Sequence, residues 1–107
     1  ARRRPFTERK EFSMKHLILV KWKETVDNAS QLKDEAEALF RETLAIPGIH
    51  GVKAIPGLKT AANRYDLMIA IDMNRDALPA YNESAAHKRW KAEYGERIEK
   101  KAIFDAE

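Results

Sequence analysis

The stretch Ser13-Met14-Lys15-His16-Leu17-Ile18-Leu19-Val20-Lys21-Trp22-Lys23, SMKHLILVKWK, decides how the rest of the chain folds. Read as a strand over residues 15–23, it puts Leu17 and Leu19 on one side and Ile18, Val20 and Trp22 on the other. A strand with one wet face alternates apolar and polar residues. This one is apolar on both sides, so both faces need cover. A second segment of the same kind spans residues 65–73, YDLMIAIDM, with Leu67, Ile69, Ile71 and Met73 on one face and Met68 and Ala70 on the other.

Between and after these two strands the pattern changes period. Over residues 28–45, Ala29, Leu32, Ala36, Leu39, Phe40, Thr43 and Leu44 make one helical stripe, with Lys33, Asp34, Glu37, Arg41 and Glu42 elsewhere. Asp27 or Asn28 can supply the capping oxygen, and Pro47-Gly48 ends the helix. Residues 49–58 read as a strand broken by Pro56-Gly57, which suggests an edge or a bulge. Lys59 to Arg64 is a turn, with Asn63 a candidate for a left-handed conformation. A short helix capped by Asn74 or Asp76 runs to Tyr81, with Pro79 in its first turn. Ser84 starts another helix, Gly95 stops it, and a last strand covers about residues 97–105.

The order is β-α-β-β-α-β, the split plan of ferredoxin-like domains. It predicts an α+β fold in which helices cover one face of a four-stranded antiparallel sheet. Nothing in 107 residues is left to cover the other face. A second copy of the sheet is the economical cover, so the pattern predicts a homodimer formed face to face.

Composition narrows the function classes. There is no cysteine, hence no disulfide framework and no thiolate chemistry. Continuous apolar runs such as Leu17 to Val20 are far too short for a membrane-spanning helix, and nothing resembles a secretory signal. The chain reads as a soluble cytoplasmic protein. Its net charge of +3 resides in residues 1–13, where Arg2, Arg3, Arg4, Arg9 and Lys10 face only Glu8 and Glu11. The domain from residue 14 onward is charge-balanced and carries no electrostatic footprint for nucleic acid. The tail has two readings. Arg-Lys-Glu-Phe-Ser before Met14 can be encoded by a run containing AAGGAG, a bacterial ribosome-binding sequence, so residues 1–13 are either a leader or cloning remnant ahead of the true start or a native basic arm. The gene's nucleotide sequence separates the two.

Chemistry is sought among three histidines. His16 opens the first strand on the face of Ile18, Val20 and Trp22. His87 lies on the last helix, with Trp90 and Tyr94 three and seven residues on, hence on one face. His50 sits just past Pro47-Gly48, in a solvated loop. Tyr81 ends the preceding short helix. Imidazoles near a phenol can transfer protons and hold a developing oxyanion. The plainer reading is that His16 and His87 are partly buried and satisfied by backbone or carboxylate partners. A metal site from His16, Asp66 and His87 has no local ligand spacing behind it, and there is no phosphate loop or nucleophile elbow. No cofactor is called for. The size of any pocket depends on how Trp22, Phe40, Asp66, Met68, Trp90 and Tyr94 pack, although Trp90 and Tyr94 also serve as plain core residues.

Five segments taken in order carry a resemblance: MKHLILVKWKE, the helix ending in IPGI, RYDLMIAIDM, AYNESAAH and the terminal IFD. Over residues 14 to about 106 the chain resembles the stress-responsive dimeric α+β barrel (Dabb) domain family, within the dimeric α+β barrel superfamily. The resemblance implies a ferredoxin-like protomer that pairs through its sheet, with a pocket for a small apolar or aromatic molecule between helices and sheet. Many members look like binding or stress-associated proteins. A plant branch cyclises polyketides by an aldol reaction with a pocket histidine and a tyrosine, which would match His87 and Tyr81, with His16 as the first-strand histidine. That branch has a histidine where this chain has Asp66, and HPAH where this chain has Ser84-Ala85-Ala86-His87. Cofactor-free monooxygenases and haem degraders belong to the wider superfamily, the latter using a first-strand asparagine that this chain lacks. The resemblance therefore leaves two expectations: a dimeric small-molecule-binding protein, or a cyclase-like or oxygenase enzyme with His87 as base and Tyr81 at the oxyanion.

Overall fold

A computed structural model describes residues 13–107. The basic tail, apart from Ser13, and the question of its origin lie outside the described residues. The elements are β1 (Ser13–Trp22), α1 (Ala29–Arg41), β2 (Ile49–Pro56), β3 (Leu67–Asn74), α2 (Leu78–Asn82), α3 (Ala85–Tyr94) and β4 (Ile98–Ala106), with short 3-10 turns after α1, before α2 and after α3. The sheet order is β2-β3-β1-β4, every pairing antiparallel. This is the expected ferredoxin-like arrangement. Among the described residues no helix is long and apolar enough to cross a membrane.

The two strands that are apolar on both faces are the two central ones, as their composition requires. Their even and odd positions part cleanly. On the helix side Ile18, Val20, Trp22, Leu67, Ile69, Ile71 and Met73 are all buried. On the other side Leu17, Leu19, Met68 and Ala70 are only half-buried. Register joins them, since Leu17 lies opposite both Ala70 and Phe104, and Leu19 opposite both Met68 and Ala102. Phe104, on the edge strand, is 61% exposed. The open face of the sheet thus carries a continuous apolar row.

Several local expectations are corrected. Asn28 does sit at the N-cap of α1, but its side chain makes no capping hydrogen bond; the helix starts from its carbonyl, which accepts from the Leu32 amide at 3.0 Å. Asn63 is not left-handed, because among the described residues only Gly48, at φ 94°, has positive φ. There a side chain would be strained, and its Cβ would lie 3.1 Å from the Ala77 Cβ. Of the two places open to Pro56 the edge is the one taken: it closes β2 on the sheet edge, where its missing N–H costs no ladder bond, and the register irregularity falls elsewhere, at Ile49–Gly51. Gly57 permits the sharp exit from β2: a Cβ there would come within 2.4 Å of the Tyr65 carbonyl oxygen. β3 begins at Leu67 rather than residue 65, because the Asp66 amide is already committed to the Val20 carbonyl at 2.8 Å.

Aromatic packing closes the core. Trp90, 2% exposed, meets Phe40 edge-on at 5.1 Å between ring centroids, Trp22 edge-on at 6.2 Å and Tyr94 in a stack at 5.1 Å. Such pairs add about 0.5–1.5 kcal/mol each beyond the burial itself. Trp90→Ala is therefore expected to destabilise the fold by about 3–5 kcal/mol in urea or guanidinium unfolding. A loss under about 1 kcal/mol would be incompatible with this packing.

Candidate functional site

Three expected residues converge at the start of β1. The Tyr81 ring lies between the two imidazoles, 5.0 Å from the His16 ring at 65° and 4.9 Å from the His87 ring at 58°. His16 arrives from the helix-facing side of β1, directly opposite Asp105 of β4. Cross-strand neighbours of this kind touch, and His16 Nδ1 bonds Asp105 Oδ1 at 2.6 Å. A carboxylate only accepts, so Nδ1 donates.

Tyr81 and His87 are locked together through Ser84. As N-cap of α3, its Oγ accepts from the His87 amide at 3.1 Å and donates to the Tyr81 carbonyl at 2.7 Å. One hydroxyl thus ends α2, starts α3 and sets the spacing between the two rings. The sequence alone marks Ser84 only as a helix cap.

The electrostatics separate the roles. Tyr81 is fully buried, and its hydroxyl has no hydrogen-bond partner among the described residues. Burial first, and the Asp105 carboxylate second, raise its pKa, so the phenol stays protonated across the physiological range. His87 is half-buried, and its pKa is lowered, mainly by burial and then by Lys91; the Asn82 backbone acceptor pulls the other way, and Lys101 and His16 lower it further. At neutral pH the site therefore holds a phenol that donates and an imidazole that accepts a proton. Asp105 is a site residue that the sequence expectations above do not include. Its signal was available, since alternation along β4 puts Ile103 and Asp105 on one face.

The remaining expected lining residues do not join this cluster. Phe40 and Trp90 are sealed in the core, and Tyr94 stacks on Trp90 while its hydroxyl donates to Glu35 Oε1 at 3.1 Å. Met68 lies on the open face of the sheet. Trp22 and Asp66 sit at the opposite end of β1, about 20 Å along the strand from His16 at about 3.3 Å per residue. There the Trp22 amide donates to Asp66 Oδ2 at 2.8 Å and Lys59 pairs with Asp66 Oδ1 at 3.0 Å. Both line a separate cleft of about 350 Å³ with Lys33 and Leu67. His16, Asp66 and His87 therefore do not meet around one ion. His50 lies in β2 rather than a loop, exposed, with its Nε2 bonded to Asn74 Oδ1 at 3.1 Å.

Two outcomes follow. Ser84→Ala removes the cap and is expected to destabilise the protein by about 1 kcal/mol, while the NMR signals of His87 and Tyr81 shift together; a change confined to His87 would contradict the shared lock. The pH dependence has a definite sign. A histidine pKa depressed by folding contributes stability in full above its unfolded value, near 6.5, and loses it as pH falls through the folded value. Lowering the pH from 7 should thus weaken the wild type more than His87→Gln in paired denaturant titrations, and parallel curves would refute the shift.

Compared with protein-family models and with curated proteins, the chain matches none. Solved structures match it over nearly their whole length. A dimeric ferredoxin-like protein of unknown function from Thermobifida fusca is 22% identical, with TM-score 0.72, over 87% of this chain and 88% of that one. A Dabb family protein with a ferredoxin-like fold from Mesorhizobium loti is 14% identical, with TM-score 0.63, over 89% and 95%. The hydroxynitrile lyase of Passiflora edulis is 14% identical, with TM-score 0.68, over 87% and 90%. At these identities the likeness is one of fold: this chain is a ferredoxin-like domain of the shape that the Dabb resemblance implies.

Proposed function

We propose that the chain works as a homodimer that binds a small apolar or aromatic molecule beside the His16–Tyr81–His87 cluster. One observation carries the binding site: a phenolic hydroxyl sealed from solvent without a protein partner among the described residues, flanked by two imidazoles. Leaving such a group unsatisfied costs about 1–3 kcal/mol, and a ligand carbonyl or hydroxyl accepting its proton recovers that cost. The homodimer is supported by the apolar row of Leu17, Leu19, Met68, Ala70 and Phe104, and by structural neighbours that are described as dimeric.

Catalysis is the second reading, and the opposed protonation preferences of Tyr81 and His87 favour it. A neutral His87 takes a proton from carbon next to a carbonyl, Tyr81 donates to the oxygen that gains charge, and Asp105 fixes the orientation of the His16 ring beside them. That chemistry suits an aldol-type cyclase or lyase or a cofactor-free oxygenase. The hydroxynitrile lyase among the neighbours lends the lyase form weight by fold alone.

Acetophenone serves as probe for both readings. Binding should shift the Tyr81 and His87 resonances, and Tyr81→Phe should weaken it about tenfold. Catalysis predicts protein-accelerated exchange of its methyl protons with deuterium, falling about 10²–10⁴-fold in His87→Gln. Shifts without exchange would leave a binding protein, and neither would refute the site. For the dimer, light scattering should give twice the chain mass, and Leu17→Glu should give a folded monomer. A wild-type monomer at micromolar concentration would defeat the homodimer.

A further inference from the structure

The helix layer stops short of β4. Ile103 faces the same side as the buried Ile18, its register partner, yet is 50% exposed. On that uncovered inner side of the edge strand, Lys101, Ile103 and Asp105 stand in a row at alternate positions, opposite Val20, Ile18 and His16. Across from it, Lys91 follows His87 by one helical turn on α3, so both project from one side of the helix. Lys91 and Lys101 come from separate elements, and both ammonium groups lie within electrostatic reach of the same imidazole, whose pKa they help to lower. Neither lysine has an ion-pair partner among the described residues. The adjacent carboxylate, Asp105, is taken by His16.

Each lysine alone has an ordinary use. A cation in the last turn of a helix complements its dipole, and a lysine on an edge strand discourages strand addition. Neither use requires the two charges to act on the same histidine. Lys88 of the same helix is different, since it is paired with Glu83 at 3.7 Å. Counting Asp105 against Lys91 and Lys101, these three side chains carry one net positive charge, and the row on β4 adds the exposed apolar side chain of Ile103.

We infer that the site selects an anionic ligand: a small apolar or aromatic carboxylate whose charge lies between Lys91 and Lys101 while its body rests on Ile103 and reaches Tyr81. The inference rests on the binding site proposed above and names its substrate class. Binding to exposed ammonium groups is screened by salt, so affinity for the carboxylate falls with ionic strength.

4-Acetylbenzoate and acetophenone share a reacting ketone and differ by the carboxylate, which makes them the test pair. Titration of the full chain, followed by NMR, should show 4-acetylbenzoate binding about tenfold more tightly at low salt, with the preference shrinking at 0.5 M sodium chloride. Lys91→Gln and Lys101→Gln should each weaken 4-acetylbenzoate about threefold, and together about tenfold, the scale of exposed ion pairs. Acetophenone affinity should be unchanged in both variants, and Lys88→Gln should leave both ligands unchanged. All these side chains are exposed, so the variants fold. Equal affinity for the two ligands, with both sensitive to Tyr81→Phe, would overturn the anionic preference and leave the binding site standing. If neither ligand moves the Tyr81 and His87 signals, both proposals are overturned.

Discussion

The structure depends on β1 lying between β3 and β4 in a defined antiparallel register. A strand with two neighbours has no free edge, and every second side chain is committed to one layer. Even-numbered residues of β1, from Met14 to Trp22, go under the helices. Odd-numbered Leu17 and Leu19 go to the open face, where β3 and β4 extend the row with Met68, Ala70 and Phe104. The same register sets His16 opposite Asp105. A slip of one residue would turn His16 outward and expose the core residues Ile18 and Val20 together. Core, open face and site are therefore consequences of a single pairing.

The site differs from the core in how its polar groups are satisfied. In the core, polar atoms that are buried find partners: Thr43 Oγ1 donates to the Phe40 carbonyl at 2.6 Å, and Tyr94 reaches Glu35. Tyr81 is more deeply buried than Tyr94 and lacks that satisfaction among the described residues. Burial acts in opposite directions on the two titrating neighbours, because it disfavours whichever form is charged. It keeps the phenol protonated and the imidazole neutral, which is the pairing that acid–base chemistry near neutral pH uses. Ser84 makes the geometry repeatable by tying a helix end and a helix start to one hydroxyl.

Most of the fold was legible in the chain because its signals are local. Leu17 to Trp22 and Leu67 to Met73 declare two-faced strands, Ser84 declares a cap, and the order of elements leaves few topologies. The misreadings were also local in kind: a cap oxygen at Asn28 that is not used and a left-handed Asn63 that does not occur. In each, composition permits two backbone solutions and tertiary packing chooses between them. Of the site, His16, Tyr81 and His87 were legible from face and spacing, whereas Asp105 required knowing which strand lies beside β1.

By itself the sequence determined the alternation of strands and helices, the inner and outer faces of β1 and β3, and the absence of thiol chemistry, because periodicity and composition are properties of neighbouring residues. Only the tertiary structure decided that the aromatic residues divide between the packing around Trp90 and a second cluster around Tyr81, and that Trp22 and Asp66 line a separate cleft at the far end of the strand. It also decided that Lys91 and Lys101, from separate elements, both act electrostatically on the His87 imidazole. Those are contacts between residues distant along the chain, fixed by register and by helix docking, and no local pattern encodes them.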